Sequence, residues 1–312
     1  MDFKSLKIGV LGGGVSGERD ISLLSAKEVY KSLVSGGSDV VFIDISTSGE
    51  EEVKELISAH NLDVAFIALH GEFGEDGKIQ RILDSMNIVY TGSGPKASLL
   101  AMDKILSKKI FSDNNIKTPD FFVCSDSKNI PDNINYPIVV KPHFCGSSLG
   151  VSIVRDSGFL KEAIEKAFSY APKIILEEYV EGRELTVGIL GDEALAVVEI
   201  IPKKGHFDFE AKYTKGESSF VVPAKLDSVV YKRTQSIALA AHKILGCEGF
   251  CRVDIRLSRN TIPYVLEVNS IPGLTDKSLL PLSAAACGYS FNELILKVIE
   301  LALHGKKETQ KV

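Results

Sequence analysis

The sequence predicts an α/β protein of two or three lobes, led by a parallel sheet covered by helices. Three observations predict it. Short, continuous apolar runs alternate with helix-like segments through the first seventy residues, the order of a βαβαβ unit. Further strand-length runs follow, separated by a glycine loop and long helical stretches. The length, 312 residues, also exceeds what one hydrophobic core usually serves.

In chain order, residues 7–11 form a short apolar strand that Gly12-Gly13-Gly14 breaks. Ile21, Leu24, Val29 and Leu33 then recur at roughly helical spacing until Gly36-Gly37 stops the helix. Residues 40–45 read as a second strand, 50–60 as a helix and 63–69 as a third strand. Tyr90-Thr91-Gly92-Ser93-Gly94-Pro95 has the turn composition of a lobe boundary. A helical stretch over 95–114 carries a break near Met102-Asp103. Residues 137–142 and 151–154 are strands joined by the loop Phe144-Cys145-Gly146-Ser147-Ser148-Leu149-Gly150, with a helix over 157–170 and a strand over 173–179 behind them. The last third holds strands near 184–190, 194–200, 250–257 and 264–268, and helices over 228–245 and 291–304. The tail from Lys306 is expected to fray.

A net charge of −5 offers no broad basic surface to a nucleic-acid backbone, so no nucleic-acid partner is expected. The five cysteines are odd in number and scattered, which argues against a disulfide framework and for a reducing compartment. Cys247 and Cys251 stand four apart without a His or a further Cys read as near enough for zinc, and are expected to be buried thiols. No signal-peptide pattern and no membrane-length apolar run is present, so a cytoplasmic protein without membrane contact is expected.

The most informative element is an acidic hairpin near the C-terminus. Side chains two apart on a strand share a face. Arg252, Asp254 and Arg256 therefore point one way, and Val265, Glu267 and Asn269 share a face of the next strand. A hairpin turning at Asn260-Thr261 puts Asp254 opposite Glu267 and Arg252 opposite Asn269. Two facing carboxylates repel unless a cation lies between them, and two carboxylates with an amide oxygen make a hard set suited to magnesium and substrate phosphates. A solvated outer face with alternating charges accounts for the same residues.

The glycine loops point to phosphate. Gly12-Gly13-Gly14 lacks the spacing of a dinucleotide fingerprint, and Glu18 behind it either holds a substrate or compensates a helix dipole. The second loop follows a strand-borne Lys141 and carries Ser147 and Ser148, the way kinases cover and grip ATP phosphates; a plain β-turn with a surface lysine is the other reading. Lys104 is a second phosphate lysine or a solvated helix residue. Glu177-Glu178-Tyr179-Val180 ends a strand shortly before Glu184, and together they can read adenine and ribose or form an exposed edge.

Residues 11–25 (LGGGVSGERDISLLS), 68–77 (ALHGEFGEDG), 90–94 (YTGSG), 102–104 (MDK), 210–213 (EAKY), 252–254 (RVD) and 267–281 span nearly the whole chain. Together they resemble the ATP-grasp superfamily and, within it, the D-alanine–D-alanine ligases. The resemblance implies the ATP-grasp fold with an N-terminal Rossmann-like parallel-sheet domain. Its domains would be 1–94, then 95–179 with the phosphate loop, then 180–312 with the metal site.

The same resemblance implies ATP-dependent joining of two D-alanine molecules through an acyl phosphate, for peptidoglycan synthesis. Glu18 would bind the first substrate's ammonium; Arg252 and the Gly273 N–H would stabilise the oxyanion. Lys212 and Ser278 would hold the second substrate's carboxylate, with His70 and Glu75 on the substrate-side loop. Lys104, Lys141, Glu177, Glu178, Val180, Glu184 and Lys212 would hold ATP. Asp254, Glu267 and Asn269 would bind two magnesium ions, with manganese able to substitute. Ser147 and Tyr213 would join Glu18 in a clasp that closes a loop around 212–217. The family also suggests a homodimer.

His143-Phe144-Cys145 departs from the small or charged residues the family often has before Gly-Ser-Ser, which is intact here. A relative that joins D-alanine to a hydroxy acid is the nearest alternative, and Lys212-Tyr213 favours the amine. A non-catalytic nucleotide binder or a dehydrogenase is a more distant one, opposed by intact Arg252, Asp254, Glu267 and Asn269.

Overall fold

The structure is a computed structural model that describes residues 3–127, 130–131, 133–203 and 217–309. The chain opens with β1 (Lys7–Gly13), α1 (Arg19–Ser35), β2 (Asp39–Ile45), α2 (Glu50–Ser58), β3 (Val64–Ile67), α3 (Lys78–Ser85) and β4 (Val89–Tyr90). These strands form a parallel sheet in the order β2-β1-β3-β4. The central strands are buried on both faces, as their unbroken apolar runs require.

Two short helices follow, α4 (Pro95–Met102) and α5 (Lys104–Asp113). The expected break falls at Asp103, whose extended backbone ends α4 while its carboxylate caps α5, accepting from the N–H groups of Ile105 and Leu106 at 2.9 and 3.2 Å. Next come β5 (Phe121–Cys124), β6 (Ile138–Pro142), β7 (Ser152–Val154), α6 (Leu160–Phe168) and β8 (Ile174–Glu178). They build an antiparallel sheet ordered β5-β8-β6-β7.

The remaining strands are β9 (Gly182–Leu190), β10 (Glu193–Pro202), β11 (Ser218–Val221), β12 (Phe250–Ser258) and β13 (Pro263–Asn269), with α7 (Ser228–Ile244) between β11 and β12. They form a second antiparallel sheet ordered β11-β10-β9-β12-β13. The chain ends with α8 (Leu279–Ala286) and α9 (Phe291–Thr309), the latter running past the expected stop at His304. Among the described residues no single helix is long and apolar enough to cross a membrane.

Shared cores tie these layers together, and one layer keeps a core to itself. Ala97, Ala101 and Phe111 of α4 and α5 pack with Val187, Val253 and Val268, so both helices share the core of the C-terminal sheet. Leu294, Ile295 and Val298 of α9 pack on Ile8, Val10 and Phe66 of the parallel sheet. The β5–β8 sheet has its own core around Val140, Ile164 and Leu176.

The α/β expectation and the leading parallel sheet hold. Missed were α3, β4, β5, β11 and α8. β4 has only two residues, and α8 is apolar on all sides, so neither carries a period to read. Two finer readings are corrected. Leu24 is 54% exposed, and the buried stripe of α1 runs instead through Ser22, Ser25, Ala26, Val29 and Leu33. Val265 does not share a face with Glu267: a β-bulge shifts the register between Asp254 and Ile255, and both Val265 and Val268 point into the core.

Candidate active site

The expected register of the acidic hairpin is present where it matters. Arg252 pairs with Asn269, Val253 with Val268 and Asp254 with Glu267; beyond that the bulge takes over. Strand β12 alternates cleanly, burying Val253, Ile255 and Leu257 and presenting Arg252, Asp254 and Arg256 on the other face. That face runs between two pockets. Arg252 and Asn269 line one, Asp254 and Glu267 the other.

Asp254 is held from three sides. Arg252 donates Nε–H to its Oδ1 and a terminal N–H to its Oδ2, both at 2.9 Å. Thr186 donates its hydroxyl to Oδ1 at 2.6 Å, and Asn269 donates Nδ2–H to Oδ2 at 3.0 Å. Glu267 pairs with Lys104 Nζ at 3.2 Å. Each acid thus has one cation beside it, and the solvated-face reading fails because Arg252, Asp254 and Glu267 are each largely buried. The hard oxygen donors of Asp254, Glu267 and Asn269 fit a divalent cation.

The first pocket lies between the two antiparallel sheets. The strand-borne Lys141 is buried and pairs with Glu177 Oε1 at 2.8 Å; Lys108 takes the other oxygen at 2.6 Å. Burial alone would raise the Glu177 pKa, but the two ammonium groups override it and hold the carboxyl below the usual range. Burial pulls Lys108 down to about 8 in spite of Glu177. Lys104 also donates to the Cys145 carbonyl at 2.7 Å, so one ammonium ties the glycine loop to Glu267. Burial would lower the Lys104 pKa, yet the charge of Glu267 holds it above its ordinary value. Glu178, Val180 and Glu184 line the other end of this pocket.

The glycine loop joins β6 to β7 as expected, with Ser147 and Ser148 both at positive φ (51° and 57°). Non-glycine residues adopt that conformation at a cost of about 1–2 kcal/mol each, and such strain collects at ligand clamps. The twist lets Ser147 Oγ donate to Glu18 Oε1. Glu18 sits at the N-terminal boundary of α1, and its carboxylate fits between Gly71 and Gly146, where a Cβ would come within 2.4 and 2.6 Å of Oε2.

The second pocket contains Glu18, His70, Ser147, Arg252, Gly273 and Ser278. His70 Nδ1 faces the Ile271 carbonyl at 2.9 Å, so Nδ1 carries the proton and Nε2 accepts from Ser25 Oγ at 2.8 Å. Ser25 Oγ in turn accepts from Leu274 N–H at 3.2 Å. Glu75 accepts from the N–H groups of Ile271 and Gly71, at 3.1 and 2.8 Å. Gly273 therefore lies on a loop anchored on both sides. Burial keeps His70 neutral by lowering its pKa, and burial with the nearby charge of Glu18 pushes Glu75 up to about 8. Ser278, at the N-terminal boundary of α8, accepts from Thr275 N–H at 3.0 Å.

The fold thus gathers every expected site residue within the described residues around two adjoining pockets. Lys212 and Tyr213 lie outside the described residues. Sequence reasoning missed Thr186, Ser25 and Lys108, and gave Arg256, on the face of Arg252 and Asp254, no role of its own. The only local signal was the pair of small hydroxyl residues, Ser22 and Ser25, on the buried side of α1. It also overlooked His242, whose Nδ1 lies 3.0 Å from Cys251 Sγ. The expectation that Cys247 and Cys251 are buried holds, and no set of three or more His, Cys, Asp or Glu among the described residues could hold a metal ion.

Comparison with known proteins agrees with this geometry. The family described as D-ala D-ala ligase C-terminus matches residues 114–300, and its N-terminus counterpart matches residues 50–93. The chain is 43% identical over 301 residues to the D-alanine–D-alanine ligase of Citrifermentans bemidjiense, covering 96% of this chain and 97% of that relative. It superposes on the crystal structure of D-alanine–D-alanine ligase from Bacillus anthracis with a TM-score of 0.88 at 35% identity, covering 98% and 100% of the two chains. The structure of that enzyme complexed with ATP gives a TM-score of 0.86 at 32% identity, with the same coverage.

Proposed function

This chain belongs to the D-alanine–D-alanine ligase family, and on that premise we propose that it joins two D-alanines into D-alanyl-D-alanine with ATP, as a step toward peptidoglycan. The observation that carries the reading is the single face of β12. It runs from the substrate pocket at Arg252, past the acid pair at Asp254, to the nucleotide pocket at Arg256. Phosphoryl transfer and acyl transfer need that continuity, because the acyl phosphate made at one end must be attacked at the other.

ATP lies between the antiparallel sheets, its phosphates toward Lys104, Lys141 and the glycine loop, its base and ribose toward Glu178, Val180 and Glu184. Glu177 faces the same pocket and acts chiefly by fixing Lys141. Asp254, Glu267 and Asn269 would hold two magnesium ions, or manganese in their place, which neutralise phosphate charge and align the γ-phosphate when bound. Glu18 pairs with the ammonium of the first D-alanine, directing its carboxylate at the γ-phosphate. Transfer releases ADP and leaves an acyl phosphate. The neutral amine of the second D-alanine attacks its carbonyl, inorganic phosphate departs with the bonding pair, and the surplus proton of the nitrogen leaves with that phosphate.

Arg252 and the Gly273 N–H face the oxyanion of the tetrahedral intermediate; preorganised donors of this kind are worth about 3–4 kcal/mol each. Ser278 and Lys212 take the second substrate's carboxylate. Ser147, Glu18 and Tyr213 form a clasp that keeps water from the acyl phosphate. The same reading divides the chain at 1–94, 95–179 and 180–312 and makes it a cytoplasmic homodimer.

The test is D-alanine-dependent release of phosphate from ATP with magnesium present. Its absence overturns the ligase reading. The relative and the solved structures compared above carry the D-alanine–D-alanine name, which supports an amine over a hydroxy acid as second substrate. Product analysis separates the two: an ester-dominated mixture at mildly alkaline pH overturns the dipeptide.

A further inference from the structure

Only residues 179–181 separate β8 from β9, and those strands belong to two different sheets. Backbone carbonyls at such a crossing need donors. The Glu181 carbonyl accepts from Arg259 N–H at 3.2 Å, and Arg256 serves the carbonyls on either side of it. Its Nε–H donates to the Val180 carbonyl at 3.1 Å and one terminal N–H to the Gly182 carbonyl at 3.0 Å. The other terminal nitrogen donates to Glu184 Oε2 at 3.2 Å, directly across the β12–β9 ladder. The guanidinium carbon lies 5.6 Å from the centroid of the Tyr179 ring, within cation–π range.

We propose that Arg256 is a positioning residue for the adenine and ribose of the nucleotide, acting by fixing the segment from Tyr179 to Glu184. This rests on reading the pocket between the antiparallel sheets as the ATP site. Tyr179, Val180, Glu184 and Arg256 all line that pocket. Val180 lines the pocket while Arg256 holds its carbonyl, which fixes the backbone beside the base. Glu184, held by Arg256 at one oxygen, lines the same pocket, where its carboxylate can accept from ribose hydroxyls. A planar fork holds three acceptors in one fixed geometry, which a rotating ammonium on a flexible stem does not.

The experiment is calorimetric titration of full-length wild type, R256M and R256K with ADP and magnesium, beside kcat and the KM values for ATP and D-alanine. R256M is expected to weaken ADP binding by roughly tenfold to a hundredfold, the loss of charged hydrogen bonds. The KM for ATP rises with it, while the KM for D-alanine and kcat at saturating ATP stay unchanged. R256K recovers only part of the affinity, and it carries the comparison by itself if R256M does not fold. ADP binding by either variant as tight as in wild type overturns the proposal. So does a parallel loss of ADP and D-alanine affinity, the mark of a merely structural pair. Failure of the unaltered protein to bind ADP instead overturns the nucleotide reading, and the role of Arg256 with it.

Discussion

Thr186 donates its hydroxyl to Asp254 Oδ1 at 2.6 Å, from the position directly opposite on β9. The bond adds to the hold that Arg252 and Asn269 have on the same carboxylate. Thr186→Val keeps the shape and removes the donor, leaving a buried carboxylate oxygen short of a bond worth about 1–3 kcal/mol. The expected result is a magnesium requirement for phosphate release raised by about tenfold, restored by Thr186→Ser. Magnesium titrations of the three proteins, with their unfolding midpoints, check it.

Gly146→Ala reaches the first substrate through Glu18. The new Cβ would stand 2.6 Å from Glu18 Oε2, and the carboxylate end must move away from Ser147. The KM for D-alanine should rise by about tenfold, the scale of one charge-assisted bond. The KM for ATP should change little, because Lys104 and Lys141 are untouched.

Ser25→Ala cuts the relay from Leu274 N–H through Ser25 to His70 Nε2. The loop carrying Gly273 loses one anchor, and the expected effect is a kcat lower by about tenfold, corresponding to roughly 1–2 kcal/mol. Single-turnover measurement of dipeptide formation from preformed acyl phosphate locates the loss in the second step. An unchanged rate there removes Ser25 from the oxyanion loop's support.

His70 links stability to pH. Burial holds its folded pKa below the ordinary 6.5, so the unfolded chain takes up a proton that the native state refuses. Its stabilising contribution is present above 6.5 and is lost as pH falls below that value toward the folded pKa. His70→Asn should therefore lose less stability than wild type on acidification, by up to about 1.4 kcal/mol per pH unit. Denaturant unfolding at neutral and mildly acidic pH measures the difference.

Lys108→Met removes one cation from the buried group Lys108–Glu177–Lys141, in which all three side chains are at most 7% exposed. Breaking a buried pair by deleting one partner costs about 3–5 kcal/mol. A drop of that size in unfolding free energy is expected, against almost none for Lys161→Met, whose ion pair is exposed.

Much of this molecule is local enough to read in the chain. Period-two alternation in residues 250–258 assigns Arg252, Asp254 and Arg256 to one face, and a short turn leaves little choice of register for the strand that follows. Hence Asp254 opposite Glu267 was legible before any fold was known. Motif resemblance then attached chemistry to positions that periodicity alone left open between a metal site and a solvated edge.

The tertiary structure decided the rest, because those contacts join residues that no local pattern couples. Ser25 meets Leu274 across 249 positions and Ser147 meets Glu18 across 129, each brought together by the packing of separate lobes. Leu24, apolar and at helical spacing, lies off the buried stripe of α1 because it lines the second pocket instead of the core. The bulge that turns Val265 inward answers to the core beneath β13, whose composition is assembled from α4, α5 and α7. Arg256 reads from sequence as a charge on the face of Arg252 and Asp254, with no role of its own. Only the meeting of two sheets at residues 179–184 makes it a donor to the Val180 and Gly182 carbonyls.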